Sequence, residues 1–201
     1  TSGPIIIDDN VTIKSNTHLE GPLYVGNGST ISPLSYVKNS VIGPMCKIGG
    51  ELNSVVIEGY TNKVHYGFLG NSYIGEWVNF GAGTTNSNLK NNYGKVRVQM
   101  NDEVFETNRM HLGCFIGDYV KTSIGTKINT GSVYGPGSMI FSKDFPSKNI
   151  PILTWYTDSG MSRVGIDKFI LNCHRMKKRR GVDFDIVEEQ FYRNLFLKVE
   201  K

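Results

Sequence analysis

Residues 74–85 read Ile74-Gly75-Glu76-Trp77-Val78-Asn79-Phe80-Gly81-Ala82-Gly83-Thr84-Thr85. Two hexads stand end to end, each with an apolar residue, a glycine, and a small or β-branched residue four places after the apolar one. The rhythm continues outward, with aliphatic residues at Val25, Ile31 and Val37, at Ile42 and Ile48, and at Ile116 and Ile124. Glycine follows at 26, 43, 49, 75, 81, 117 and 125, and Ser29, Ser35, Cys46, Val78, Thr84, Val120 and Ile128 take the small position. Three periods of six predict triangular coils of roughly 18 residues whose sides are short parallel strands. The aliphatic position points inward and stacks on its equivalent one coil away, while glycine or another small residue tolerates the tight corner where bulky side chains would clash. A single coil cannot bury its apolar side, so several must stack and the ends must be capped. The fold class expected is therefore mainly β, a parallel β-helix over 1–150. A β-sandwich would need period-two alternation and hairpin turns, which residues 20–85 lack.

Two segments break the rhythm. Residues 86–112 carry Asn-Asn-Tyr-Gly turn chemistry and the alternating run Val96-Arg97-Val98, an excursion of a length that is either functional or mobile. After Pro146 and Pro151 the character changes, and 151–201 is expected to be a C-terminal helical extension. Ile166, Phe169, Ile170, Cys173 and Met176 recur at helical spacing, and beyond Gly181 so do Ile186, Val187, Phe191, Leu195 and Val199. Two amphipathic helices with little core of their own read as a cap on the coils or an oligomer contact.

Composition excludes several classes. No apolar run approaches the roughly 20 residues of a membrane-spanning helix, and a net charge of +4 is partly local to Lys177, Lys178, Arg179 and Arg180. That run reads as a solvated helix end, without the spread of basic and aromatic residues that nucleic acid requires. Cys46, Cys114 and Cys173 form no CxxC pair, which argues against a disulfide framework or a zinc site and suits a reducing cytoplasm. The chain begins Thr1-Ser2-Gly3 with no signal peptide ahead of the first hexad, as a piece of a longer protein would.

Of the four histidines, His18 and His174 have no neighbours suggesting a site, and no HExxH pairing supports a metal. A β-helix carbonic anhydrase would need three histidine ligands, for which His18, His65 and His111 lack suitable spacing. His65 differs. It opens a polar cluster, with Asn71, Asn79 and Asn88 following and Glu51 preceding it by 14 residues, roughly one coil. A carboxylate beside an imidazole fixes its tautomer for general-base work, and an asparagine can donate to a developing oxyanion. A surface histidine on a repetitive scaffold remains the other reading of these residues.

The stretch from Asn62 to Asn88 resembles the acetyltransferase half of the bifunctional N-acetylglucosamine-1-phosphate uridyltransferase/glucosamine-1-phosphate acetyltransferase family. That family carries a histidine, Tyr-Leu-Gly-Asp-Ala, a hexad pair Ile-Gly-x-x-Val-Asn-Ile-Gly-Ala-Gly-Thr, then Cys-Asn-Tyr. Here stand His65, Phe68-Leu69-Gly70-Asn71-Ser72, Ile74 to Thr84, and Ser87-Asn88-Leu89. The resemblance implies a left-handed β-helix, a homotrimer with active sites between subunits, and acetyl transfer from acetyl-CoA to the amine of a sugar phosphate or sugar nucleotide. It implies His65 as the base, Glu51 as its orienting carboxylate, and Phe68, Asn79 and Asn88 against the substrate. Asn108 and Lys143 are the loose candidates for contacting CoA. It also implies an N-terminal nucleotidyltransferase domain, absent from this stretch of chain. Phe68 and Leu89 replace two substrate tyrosines, and Asn53 replaces a lysine that grips the sugar phosphate. A different acceptor follows, or a lapsed site that serves as a trimerisation or regulatory module.

Overall fold

The computed structural model describes residues 3–100 and 103–199; Thr1, Ser2 and the side chain of Val199 lie outside the described residues. The chain winds into a left-handed parallel β-helix of about 9 turns. Its longest face is an eight-stranded parallel sheet running from Ile5–Ile7 through His18–Val25, Tyr36–Ile42, Glu51–Ile57, Phe68–Ile74, Cys114–Ile116 and Ser132–Tyr134 to Asn149–Ile150. A second face stacks Thr12–Ile13, Thr30–Ile31, Lys47–Ile48 and Asn62–Lys63, and continues through single bridges at Asn79 to Lys121–Thr122 and Met139–Phe141. A third, shorter face pairs Thr85–Asn86 with Lys127–Ile128. Along the core, Val25, Ile31, Val37, Ile42, Ile48, Ile57, Ile74, Phe80 and Ile116 are buried as the hexads predict.

The glycine that follows the aliphatic residue is there for the reason read in the sequence, that a bulkier residue would clash at the corner. A methyl group on Gly43 would land on the carbonyl of Glu58, on Gly49 on that of Val64, and on Gly81 against the backbone of Ser123. These three residues do not have left-handed φ; they are small because the next coil lies directly against them. The turn itself falls two residues later, at Met45 (φ 58°), Trp77 (φ 58°) and Tyr119 (φ 61°), with Tyr60 (φ 51°) and Leu153 (φ 50°) in the same column. The small fourth-place residues close the turns from inside: Ser29 Oγ donates to the Gly43 carbonyl (2.9 Å) and accepts from the Cys46 amide (2.9 Å).

Two expectations are corrected, the inward place of Ile124 and the apolar stripe of the second helix. Ile124 is 78% exposed, because the inward position of that hexad is Thr122 and Gly125 (φ 72°) is the turn residue three places on. Past residue 150, Thr154–Thr157 pairs in parallel with Met139–Phe141, and Gly160–Arg163 folds back on it as an antiparallel edge. Pro146 and Pro151 sit in turns between coil strands and do not terminate them. The helices then begin, α1 at Ile166–Lys178 and α2 at Ile186–Val199. Helix α1 buries Phe169, Ile170 and Cys173 as its spacing predicts. In α2 the expected stripe divides, with Ile186 and Val187 each 74% exposed and Phe191 also outward, while Leu195 is half-buried against the aromatic cluster. The docking side is instead Tyr192, packed edge-on to Tyr119 at 5.5 Å, and Glu188, bonded to Tyr119 and Lys177. An aromatic stack of Tyr60, Trp77 and Tyr119, centroids 4.3 and 6.3 Å apart, gives the helices their seat on the coil corner.

The excursion at 86–112 is a hairpin. Arg97–Met100 pairs antiparallel with Glu103–Glu106, and a Leu89–His111 bridge closes its neck.

One aliphatic slot holds a lysine. Lys63 lies in register with Ile48 and points into the core at 3% exposure. Its ammonium donates to the carbonyls of Gly49 and His65, both at 2.9 Å, and desolvation lowers its pKa to about 8.

Two outcomes follow for stability. Gly43→Ala should cost about 3 kcal/mol or more by overpacking against backbone, while Gly125→Ala, with open space around it, should cost about 1 kcal/mol for its left-handed φ. Urea melts of both variants check the order. For Lys63, below pH 8 folded and unfolded chains are both protonated and the burial penalty acts in full. Between about 8 and the ordinary 10.5 only the unfolded chain holds the proton, so the fold gains stability as pH rises. The gain is about 3 kcal/mol across that window, and the same melts at pH 7.5, 9 and 10 should show it shrink sharply in Lys63→Met.

Candidate functional site

The face that carries the predicted residues is built by the strand Phe68–Ile74 and the turn after Asn86. Buried Asn86 is its clamp: its amide donates to the Gly70 carbonyl (3.0 Å) and Ser72 Oγ (3.1 Å), and its oxygen accepts from the Gly70 amide (2.8 Å). Thr85 Oγ1 accepts from the Phe68 amide at 3.2 Å. With the strand so fixed, Asn88 Nδ2 donates to Asn71 Oδ1 at 2.6 Å, and Asn71 itself turns outward at φ 48°. The Phe68 ring lies over Gly70, whose missing side chain leaves it that space, with the Asn88 amide beside it. Phe68, Asn71 and Asn88 thus share one surface.

Glu51 belongs to the same outward column, because it is the register partner of Phe68 one coil away. Together with Glu20 it adds to the field that keeps the Lys38 pKa raised, chiefly through the bond of Lys38 to Tyr36. His65 stands three residues before Phe68, exposed at the coil corner, where Gly67 (φ 123°) lets the chain pass under Thr84. The register therefore aligns Glu51 with Phe68 and not with His65, and among the described residues no hydrogen bond or ion pair joins the Glu51 carboxylate to the imidazole. What holds the His65 corner is its backbone carbonyl on the Lys63 ammonium.

Asn79 lies elsewhere. It is on the second face, bridged on either side to Asn62 and Lys121, and its Oδ1 accepts from Asn62 Nδ2 at 3.3 Å. There it lines a cavity of about 220 Å³ with Lys121, Arg179 and Arg180. Asn79 and Asn88 are thus on different faces of one chain. Asn108 sits in the hairpin excursion, accepting from Lys95 Nζ at 2.9 Å, while Lys143 is an exposed residue of the loop after Met139–Phe141, its amide bonded to Asp158 at 3.1 Å. Asn53, in the place of the family lysine, accepts from Ser54 Oγ at 3.0 Å.

The remaining histidines have structural neighbours. His18 packs edge-on to Tyr36 at 5.0 Å, His174 pairs with Glu189 at 3.5 Å, and His111 closes the hairpin neck. The three cysteines are free and buried, with thiol pKa values pushed up by desolvation to about 11 for Cys46 and about 12 for Cys114 and Cys173. Among the described residues no helix is long and apolar enough to cross a membrane, and no group of three metal-binding side chains is assembled. Reading the sequence missed Lys63, Asn86 and Lys121. The signal was present for the first two, since a lysine and an asparagine occupy inward positions of the repeat.

No family model matches the chain. It is 38% identical over 144 residues to a bifunctional sugar-1-phosphate nucleotidylyltransferase/acetyltransferase of Sulfurisphaera tokodaii, covering 69% of this chain and 35% of the relative. Against the bifunctional protein GlmU of Thermodesulfovibrio yellowstonii it is 32% identical over 150 residues, covering 73% and 30%. The chain therefore spans about a third of the length of these curated relatives. In solved structures it superposes on AntD, an N-acyltransferase from Bacillus cereus, with a TM-score of 0.51 at 13% identity, over 86% of this chain and 90% of that one, a likeness of fold. By these homologies the chain belongs to the family of bifunctional sugar-phosphate nucleotidyltransferase/acetyltransferases, as the β-helical part of it.

Proposed function

We propose that the chain is an acyltransferase module that moves the acetyl group of acetyl-CoA onto the amine of a sugar phosphate or nucleotide sugar. The observation that carries the reading is His65, an exposed imidazole at a coil corner beside the Phe68, Asn71 and Asn88 surface, in a chain whose relatives are named for acetyl transfer. The amine nitrogen attacks the thioester carbonyl and gives its proton to the imidazole; as the C–S bond breaks, the imidazolium returns that proton to the leaving sulfur and CoA departs as its thiol. Asn88 and Asn79 supply amide donors for the carbonyl oxygen or the sugar, and Glu51 orients His65 once substrate draws the two together. Asn108 and Lys143 are the candidates for contacting CoA.

Because Asn79 and Asn88 occupy different faces, a complete site takes one face from each of two chains, which favours the homotrimer. Light scattering should then give three times the 22.4 kDa of one chain, and a monomer at micromolar concentration would count against a shared site.

A second reading has support in the absent Glu51–His65 contact and in Phe68, Leu89 and Asn53: a β-helix kept for assembly or regulation of a nucleotidyltransferase. The two readings part in one assay. With acetyl-CoA and a panel of amino sugar phosphates and nucleotide sugars, the wild type should turn over and His65→Ala should lose roughly 10²–10⁴-fold in kcat, with its affinity for acetyl-CoA retained. Turnover that His65→Ala leaves unchanged, or no binding of acetyl-CoA at all, overturns the acyltransferase reading in favour of the assembly module.

A further inference from the structure

The cavity under the end of α1 is built from two parts of the chain far apart in sequence. Its floor is the outward column of the second face, where Asn62, Asn79 and Lys121 follow one another on three successive coils. Its rim is the end of α1, with Arg179 and Arg180 leaning over the column beside Tyr60. Arg180 Nη2 donates to Asn62 Oδ1 at 2.7 Å and its Nη1 to the Met45 carbonyl at 3.4 Å, so the guanidinium is anchored over the coil and not free in solvent. Burial lowers the pKa of Lys121.

Three cations thus meet in about 220 Å³ with no aspartate or glutamate in the lining. Among the described residues none of the three takes part in an ion pair, whereas their helical neighbour Lys177 is paired with Glu188 and Arg193 with Glu189 and Asp167. Gathering like charges in a partly desolvated space costs free energy unless an anion completes it. The donors left over are those an oxyanion with several equivalent oxygens can use: a guanidinium fork, an ammonium and carboxamide N–H groups. The volume falls below the roughly 300–1,000 Å³ of sites that engulf a whole small molecule, so it suits a charged group at one end of a ligand.

We propose that this cavity is a binding site for the phosphate or diphosphate group of a phosphorylated ligand. Lys121, Arg179 and Arg180 supply the charge and the Asn62–Asn79 pair the directional donors. The site does not depend on acyl transfer. Its place on the coil bears on the imidazole, since Asn62 precedes His65 by three residues, at most roughly 10 Å of chain. The phosphate source is then either the acceptor, reaching from the cavity to the imidazole, or a separate free phosphate compound.

Calorimetry on the full chain with pyrophosphate, inorganic phosphate and UDP tests the site directly. At least one should bind saturably, with affinity that falls as salt is raised, and Lys121→Met and Arg179→Ala should each weaken it about tenfold at an unchanged melting temperature. Arg180→Ala is avoided, since Arg180 also ties α1 to the coil. No saturable binding of any of the three, or binding that both variants leave intact, overturns the proposal. Should one variant melt early, the other, together with Arg179→Lys, which keeps the charge and should keep most of the affinity, carries the decision. The source is separated by adding pyrophosphate to the acetyl-transfer assay: inhibition competitive with the acceptor assigns the cavity to the acceptor phosphate, and binding without such competition assigns it to a separate phosphate ligand. If no acetyl transfer is found with any acceptor, the proposed reaction fails while the calorimetry still decides the cavity.

Discussion

Everything in this molecule depends on how closely one coil can lie upon the next. Parallel strands sit about 4.8 Å apart, and where the coil bends that spacing leaves no room for a Cβ. Gly43, Gly75 and Gly117 are residues at which atoms of the neighbouring coil occupy the place of a side chain. With that position empty, the chain can turn two residues later in the left-handed region, at Met45, Trp77 or Tyr119. Such a φ costs about 1–2 kcal/mol for a residue with a side chain. It persists because the inter-coil hydrogen bonds on both flanks allow no other path, as at Trp77, whose amide bonds the Gly59 carbonyl, and Tyr119, whose amide bonds that of Glu76.

The turn geometry also decides what the outside of the β-helix can carry. A left-handed residue throws its side chain outward, and identical turns on successive coils stack those side chains into a column. Where the column reads Tyr60, Trp77, Tyr119, it becomes a flat aromatic wall. Phe169 and Tyr192 pack against the end of this wall, so the two helices have a hydrophobic base that neither could make alone. This explains why α2 docks through Tyr192 and Glu188 and leaves Ile186 and Val187 outside. The partner surface offers an aromatic edge and a phenol in need of an acceptor, and the stripe read from apolar spacing alone does not account for either.

The coils were legible because their period is short and each slot has a steric cause, so Val25, Ile42, Ile74 and the small residues behind them could be placed without coordinates. Legibility failed where a residue type had two uses. Ile124-Gly125 imitates the aliphatic–glycine pair, yet the glycine is there for its φ and the isoleucine is in solvent, with Thr122 in the slot between them and the core. Pro151 looks like a terminator but lies in a coil turn. Of the candidate residues, Phe68 and Asn88 share a surface with Asn71 because all three come from one stretch of sequence. The Glu51–His65 pairing was judged from residue count, and coils that vary from 15 to 18 residues, as Lys47 with Asn62 and Ile13 with Ile31 show, defeat counting. The cavity beneath α1 was not legible at all, because it needs the register of three coils and the docking angle of a helix.

Two departures from the repeat lie behind the corner that carries His65, Phe68 and Asn71. A perfect hexad array would fill the slot of Lys63 with isoleucine and that of Asn86 with an aliphatic residue, and would gain stability by doing so. Instead Lys63 places a charge behind the His65 corner and spends it on two backbone carbonyls, while Asn86 uses its whole amide to lock the strand that presents Phe68 and Asn71. Both substitutions hold backbone in position and neither reaches solvent. That is the arrangement expected where a scaffold gives up core packing to fix an outer surface. It separates the corner at residues 63–71 from corners of the same β-helix where the inward hydrogen bonds come from a small hydroxyl residue, as at Ser29 and Thr61.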